Sequence, residues 1–234
     1  MDKKYNHIFF DLDHTLWDFE KNSTEVLSHL YDLHNLMDLA DFTKEDFCAK
    51  FREVNLNLWQ SYNEKRLDRA SLRENRFSFV MEALGAKGEQ ISKKLAEDYL
   101  KRCPTMHHVF PFTIEILQYL KNQRGYSLHV ITNGFEDVQH IKIKSAGLTD
   151  FFDEVITADA AGYQKPDKEI FGYALSKIKC QEDECIMVGD NLEADVVGAK
   201  NAQIDQVYFN PSKLPHKETI TYEISCLSEL QQIL

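Results

Sequence analysis

Two aspartates, Asp11 and Asp13, are the residues whose type and spacing suggest chemistry most directly. They follow Ile8, Phe9 and Phe10, an apolar run that predicts a short buried strand. In extended backbone, residues i and i+2 lie on the same side, so the two carboxylates should be neighbours. Two neighbouring acids at neutral pH require a cation or a shared proton. We therefore favour a functional acid pair at a strand end over a solvated strand terminus.

The composition of the chain limits the classes of partner. Its 234 residues, 43% of them hydrophobic, fit one large domain or a core with a small second domain. The formal net charge of −11 argues against a nucleic-acid polymer, because a phosphate backbone is bound by a basic surface. A small phosphorylated ligand is compatible with this charge, since it requires only a local cation.

The N-terminal segment predicts neither a signal peptide nor a membrane span, because Asp11 interrupts its apolar run. We therefore expect a cytoplasmic protein without a membrane partner. The five cysteines include no Cys-x-x-Cys pair, which favours scattered reduced thiols over a disulfide framework or a zinc site.

From Trp17 to about Arg102 the apolar spacing is helical, and no strand pattern interrupts it. Thr43 is predicted to cap a second helix, and the capping-box sequence at 71–74 is predicted to open a third. A helical bundle inserted after the first strand is the simplest interpretation. The first apolar stripe consists of Val26, Leu27, Leu30, Leu33 and Met37.

Beyond Pro104 short apolar strands alternate with helices. Strands are predicted at 8–10, 127–132, 154–157, 185–189 and 205–209. Helices are predicted at 112–122, 135–145, 168–178 and 193–202, and 210–221 is predicted to be a surface loop. This alternation is typical of a parallel sheet with helices on both faces, in which ligands bind at the carboxyl ends of the strands.

Four polar sets fall at those predicted strand ends. Each alone has a plain structural explanation, such as a turn or a helix N-terminus. Together they would meet at one edge of one sheet, which favours a common function. The sets are Asp11 with Asp13, Thr132-Asn133-Gly134, Lys165-Pro166, and Gly189 to Asp195 with its acids Asp190 and Asp195.

In order and placement these sets resemble the four motifs of the haloacid dehalogenase superfamily of aspartate-dependent phosphohydrolases. The resemblance implies a Rossmann-like α/β core formed by residues 1–16 and 103–234. It also implies an all-helical type 1 cap formed by residues 17–102. The opening Asp-Leu-Asp-His-Thr-Leu-Trp-Asp-Phe further resembles the branch that dephosphorylates pyrimidine nucleoside monophosphates.

The resemblance assigns Asp11 as the nucleophile that forms an aspartyl-phosphate, and Asp13 as the general acid and base. It implies a Mg²⁺ ion held by Asp11, by the backbone carbonyl of Asp13 and by Asp190, with Asp195 in a supporting position. A divalent cation fits because it screens the phosphate dianion from the attacking carboxylate.

The same resemblance assigns phosphate binding to the Thr132 hydroxyl, to the Asn133 and Gly134 amides, and to Lys165. For the substrate, Trp17 and Tyr62 are candidates to stack on a base, so a nucleotide is the expected small phosphorylated metabolite. Aromatic residues at helical spacing are more often core, and that alternative stays open here.

Other functions remain as alternatives. A dehalogenase would not require Asp13, because a halide leaves without a proton. A sugar-phosphate phosphatase or a phosphomutase would use the same motifs. From another class, a non-catalytic phosphate-binding protein could keep the fold, although it would have little reason to retain all four motifs.

Overall fold

Six parallel strands form the sheet that carries the polar strand ends. The computed structural model of the chain describes residues 4–86 and 88–234. The spatial order of the strands is β3-β2-β1-β4-β5-β6. In chain order, the strands are β1 His7–Phe10, β2 Ser127–Thr132, β3 Glu154–Thr157, β4 Cys185–Gly189, β5 Asp205–Phe209 and β6 Tyr222–Ile224.

Strand β1 lies in the middle of the sheet, between β2 and β4. Its last residue, Phe10, pairs with Val130 and with Val188, and all three side chains are buried. The chain builds β1, β2 and β3 in one direction and then crosses to β4 on the other side of β1. This reversal creates a switch point next to β1, where open α/β sheets bind ligands.

The described residues form ten α-helices, and none of them is long and apolar enough to cross a membrane. Two π-helical segments, Tyr119–Gln123 and Leu192–Val197, continue or replace regular helix. The helices are α1 Phe19–Leu33, α2 Lys44–Asn63, α3 Arg69–Ala83, α4 Glu89–Arg102, α5 Thr113–Gln118, α6 Glu136–Ser145, α7 Ala158–Ala161, α8 Lys168–Ile178, α9 Gly198–Asn201 and α10 Leu230–Ile233.

The chain divides into two compact units. One combines the described residues up to Phe19 with His107–Leu234 and contains the sheet. The other is the helical segment Glu20–Met106, whose interior is aromatic: the rings of Phe51 and Tyr99 lie 4.9 Å apart. The predicted fold class is therefore confirmed: an α/β chain with a Rossmann-like parallel sheet and an inserted all-helical segment.

The five predicted strands are present, and Thr43 caps α2 as predicted, since its hydroxyl accepts a hydrogen bond from the Asp46 amide. The predicted start of the third helix was wrong. Helix α3 begins at Arg69, because the Asp68 carboxylate accepts from the Ser71 amide at 2.8 Å and caps the helix three residues earlier.

The first apolar stripe was too long. Helix α1 ends at Leu33, and the side chains of Leu33 and Met37 are 46% and 69% exposed, so they do not join its buried face. The sequence also gave no sign of β6, which has only three residues, one of them the exposed Glu223.

Candidate active site

One lysine connects three strand ends. Lys165, in the loop between α7 and α8, is 2% exposed. Its ammonium group donates to Asp11 Oδ1 at 2.5 Å, to Asp195 Oδ1 at 2.6 Å and to the Ile131 carbonyl at 2.7 Å. All three protons of the ammonium group are therefore used. Asp11 directly follows β1, and Asp195 lies in the π-helical segment after β4, so Lys165 fixes both acids to β2.

A third acid, Asp190, completes a group in which one carboxylate oxygen from each residue lies within 4.8 Å of the others: Asp11, Asp190 and Asp195. Burial raises the pKa of Asp11 well above its usual value, and the two other acids add to this effect while Lys165 opposes it. Burial, followed by Asp195, raises the pKa of Asp190 to about 7. Burial alone would lower the pKa of Lys165, but Asp11 and Asp195 outweigh it and raise that pKa.

This donor set fits a hard divalent cation. Three carboxylates face one ammonium group, so the cluster carries excess negative charge when all three are ionised, and carboxylate oxygens are the ligands that Mg²⁺ prefers. The raised pKa values of Asp11 and Asp190 express the same imbalance. A bound cation would remove it.

The hydroxyl of Thr15 orients Asp190, a role that the sequence did not suggest. It donates to Asp190 Oδ1 and accepts from the Asp190 amide, both at 3.0 Å, and Thr15 is fully buried. The only sequence signal was a polar residue four positions after Asp11. Gly189 is needed for a different reason: a Cβ there would lie 2.3 Å from Asp195 Oδ2, so only glycine lets Asp195 approach β4.

Asp13 has separate partners. Lys142 Nζ donates to its two carboxylate oxygens at 2.7 and 2.8 Å, and Gln139 Nε2 donates to Oδ2 at 3.1 Å. Loss of solvent alone would raise the pKa of Asp13, but Lys142 and then Gln139 outweigh it and hold that pKa below its usual value. The Asp13 side chain keeps 23% of its surface exposed, so it is accessible to a ligand.

The expectation that Asp11 and Asp13 share one cation or proton therefore needs correction. The chain leaves extended conformation after Phe10, and each acid has its own ammonium partner, Lys165 for Asp11 and Lys142 for Asp13. The arrangement provides one carboxylate in a cation-binding cluster and a second, separate carboxylate that can exchange protons with a ligand.

The predicted phosphate-binding residues lie beside this cluster but are partly engaged within the protein. Thr132 ends β2, and its hydroxyl accepts from the Gly134 amide at 3.0 Å. The Asn133 side chain is used for structure: it donates to the Lys165 carbonyl at 2.8 Å and accepts from the Lys165 amide at 2.7 Å. Asn133 thus holds the loop that presents Lys165.

The two substrate-contact candidates lie in different surroundings. Trp17 is fully buried, and its ring lies 4.5 Å below the ammonium group of Lys142, so no face of the indole is available to a base. The prediction that Trp17 stacks on substrate is therefore wrong, because this ring packs against the lysine that holds Asp13. Tyr62 belongs to α2 of the helical unit, where its ring lies 5.5 Å from that of Trp59.

Known proteins match this chain over almost its whole length. A family model described as haloacid dehalogenase-like hydrolase matches residues 5–203. Pyrimidine 5'-nucleotidase YjjG of Escherichia coli is 30% identical over 99% of this chain and 98% of its own length. Glyceraldehyde 3-phosphate phosphatase of Methanothermobacter thermautotrophicus is 27% identical over 97% of this chain and 96% of its own length.

A solved structure gives the same result for the fold. The crystal structure of the HAD-hydrolase YfnB from Bacillus subtilis, bound to magnesium, matches with a TM-score of 0.87 at 28% identity. The match covers 99% of each chain.

Proposed function

Because this chain belongs to the haloacid dehalogenase-like hydrolases, we propose that it is a magnesium-dependent phosphomonoester hydrolase that acts through an aspartyl-phosphate on Asp11. The observation that carries the proposal is the contrast between its two motif acids. Asp11 lies in a cluster suited to a cation, whereas Asp13 is separate and paired with Lys142. A nucleophile and an acid-base group require different surroundings, and these two residues have them.

In the first step, an Asp11 carboxylate oxygen attacks phosphorus, and the ester P–O bond breaks with its electron pair going to the leaving oxygen. Asp13 gives that oxygen a proton. Lys142 favours the ionised form of Asp13 in the structure, and the negative charge of an approaching phosphate favours uptake of the proton that the first step uses.

In the second step, water attacks the phosphorus of the aspartyl-phosphate and passes a proton to the Asp13 carboxylate. The bond between phosphorus and Asp11 breaks, the Asp11 carboxylate returns, and orthophosphate leaves. Lys165 stabilises charge at Asp11 in both steps, since its ammonium group already lies 2.5 Å from Oδ1. The Thr132 hydroxyl is available to donate to a phosphoryl oxygen while it accepts from Gly134.

The proposed cation ligands are the Asp11 and Asp190 carboxylates and the Asp13 backbone carbonyl, with Asp195 in support. When bound, Mg²⁺ screens the charge between the carboxylate and the phosphate dianion. Thr15 holds Asp190 for this purpose, and Lys165 together with the Asn191 amide, 3.0 Å from Asp195 Oδ2, holds Asp195.

For the substrate, we propose a small phosphorylated metabolite, and within that class a pyrimidine nucleoside 5'-monophosphate. The support is the similarity to YjjG and the nucleotidase-like opening motif. Tyr62 remains our candidate for base contact. The similarity to glyceraldehyde 3-phosphate phosphatase makes a sugar-phosphate phosphatase the second candidate.

The test is a comparison of kcat/KM for phosphate release, with Mg²⁺, across pyrimidine and purine nucleoside monophosphates, glyceraldehyde 3-phosphate and hexose phosphates. We expect the highest values for pyrimidine nucleotides and no release by the Asp11→Asn protein. Higher values for sugar phosphates would replace the nucleotidase assignment. Transfer of labelled phosphate to a second hydroxyl would indicate a mutase, and no release from any compound would favour a phosphate-binding protein.

A further inference from the structure

Asp13 is held by two residues of α6 that lie one helical turn apart, Gln139 and Lys142. We propose that they form a clamp that fixes the orientation of the Asp13 carboxylate toward the leaving group, so that both are positioning residues of the hydrolytic reaction. This inference rests on the proposed function, because it presupposes that Asp13 exchanges the proton with the leaving oxygen.

The geometry of the clamp constrains the carboxylate fully. Lys142 contacts both oxygens, at 2.7 and 2.8 Å, and Gln139 adds a contact to Oδ2 at 3.1 Å. Both clamp residues are buried, with 6% of Lys142 and 1% of Gln139 exposed. With donors at both oxygens, the carboxylate cannot rotate without losing a hydrogen bond.

The turn after β2 is shaped around this clamp. A Cβ atom at Gly134 would lie 1.4 Å from Gln139 Nε2, so the Gln139 side chain passes through the space that any other residue at 134 would fill. Gly134 follows Thr132 and Asn133, which lie beside the acid cluster. The same turn therefore serves both acids: its polar residues border the site of Asp11, and its glycine admits the amide that reaches Asp13.

Aromatic rings fix the lysine in turn. The ammonium group of Lys142 lies 4.5 Å from the ring centre of Trp17 and 5.8 Å from that of Phe19. These rings attract a cation and leave it little room to move away from Asp13. The buried Trp17 ring therefore supports the clamp.

The surroundings of the Gln139 side chain indicate that this residue has a functional role and not only a structural one. Its Oε1 atom is buried and finds no hydrogen-bond partner in the described parts of the chain. A buried amide with an unpaired carbonyl lowers stability, so a nonpolar side chain would serve packing better. The contact with Asp13 is what this amide provides.

The test uses two nearly isosteric variants, Gln139→Met and Lys142→Met, and two substrates. One substrate is uridine 5'-monophosphate, whose alkoxide leaving group requires a proton, and the other is p-nitrophenyl phosphate, whose leaving group does not. We compare kcat/KM, which reports the steps up to the first irreversible one. Each variant should lower kcat/KM for the nucleotide about tenfold or more and that for the aryl phosphate less than about threefold.

The matched control is Lys144→Met, which removes an exposed lysine two residues from Lys142 on the same helix. It should leave both kcat/KM values unchanged. Thermal unfolding of each variant shows whether the fold is retained. An equal fall for both substrates, or a rise for Lys142→Met, would overturn the clamp.

A double-mutant cycle separates the clamp from the mechanism. In an Asp13→Asn background, Gln139→Met should lower kcat/KM for the nucleotide less than about twofold further, because the carboxylate that it positions is gone. A full additional tenfold loss would contradict positioning through Asp13. If Asp13→Asn alone leaves nucleotide hydrolysis unchanged, the proposed mechanism itself fails, and with it the reason for the clamp.

Discussion

Asp11 and Asp13 are separated by one residue and begin from the same ordinary pKa of 3.8, yet their surroundings shift it in opposite directions. Around Asp11, burial and two further acids outweigh one lysine, and the pKa rises. Around Asp13, a lysine and an amide outweigh the loss of solvent, and the pKa falls. The partners that each acid receives from other strands and helices, and not the acids' own sequence spacing, decide this difference.

One short motif can therefore supply two chemical roles. The region of Asp11 has excess negative charge, which a cation and a phosphate can share. The charge of Asp13 is balanced by Lys142, and the other described side chain that bonds to it, Gln139, is neutral. Variants that treat the two acids alike should therefore have different consequences.

The largest expected effect is that of Asp11→Asn, which removes the nucleophile and keeps its shape. We expect kcat to fall by about 10⁴-fold or more, whereas Asp13→Asn should lower it by about 10²–10⁴-fold. The Asp11→Asn protein should retain its fold, because the change relieves repulsion in the acid cluster. Steady-state kinetics and thermal unfolding measure both statements. Wild-type turnover by either folded variant would remove the distinction between the acids.

A variant that only loosens the cation site should have a smaller effect than loss of either acid. Chelation by EDTA should abolish turnover and added Mg²⁺ should restore it. Thr15→Val should raise the Mg²⁺ concentration for half-maximal rate by about 10–100-fold, because Asp190 loses the hydroxyl that orients it. Lys144→Met is the control. An unchanged Mg²⁺ requirement in Thr15→Val would show that Asp190 needs no such support.

The smallest effect concerns stability. For the chelated protein, the folded state binds more protons than the unfolded state between about pH 4 and pH 7, because the pKa of Asp190 is about 7 when folded and lower when unfolded. Its contribution therefore falls as pH rises through this window, by roughly 2 kcal/mol from about pH 5 to about pH 7.5. The contribution of Asp13 has the opposite sign. Because its pKa is lowered in the folded protein, Asp13 stabilises the fold at pH values above its pKa in the unfolded chain, and this stabilisation is lost only below about pH 4.

Urea unfolding in EDTA at the two pH values, for the wild type, Asp190→Asn and Asp13→Asn, measures these contributions. The free energy of unfolding of Asp190→Asn should depend less on pH than that of the wild type. Asp13→Asn should keep the wild-type dependence in this range. The reverse order would mean that the two regions have been assigned the wrong electrostatics.

Local pattern was enough to predict five of the six described strands and the acids at their ends. The apolar run 185–189, for example, is a strand with the same bounds in the structure. A strand that is buried on both faces is recognisable in the sequence as an unbroken run of apolar residues. The convergence of Asp11, Lys165, Asp190 and Asp195 followed from parallel topology alone. These features depend on local apolar patterns and on one general rule, which is that the carboxyl ends of parallel strands meet at the same edge of a sheet.

Gln139, Lys142 and Thr15 could not be found in this way. Gln139 and Lys142 lie on an ordinary-looking helix more than a hundred residues from Asp13, and only the placement of α6 brings them to it. Trp17 was misjudged for the same reason: its nearness to the acids along the chain was visible, but the lysine that covers it was not. Which distant residues contact each other depends on the tertiary structure, and local sequence patterns do not show it.

The most direct test of the division between the two acids is a rapid-mixing experiment with p-nitrophenyl phosphate and Mg²⁺. Asp13→Asn should release about one equivalent of p-nitrophenol per chain in a fast burst and then turn over slowly, because Asp11 is phosphorylated but water lacks its base. Asp11→Asn should give no burst. A burst from Asp11→Asn, or slow release without a burst from Asp13→Asn, would contradict the assignment of nucleophile and acid-base group.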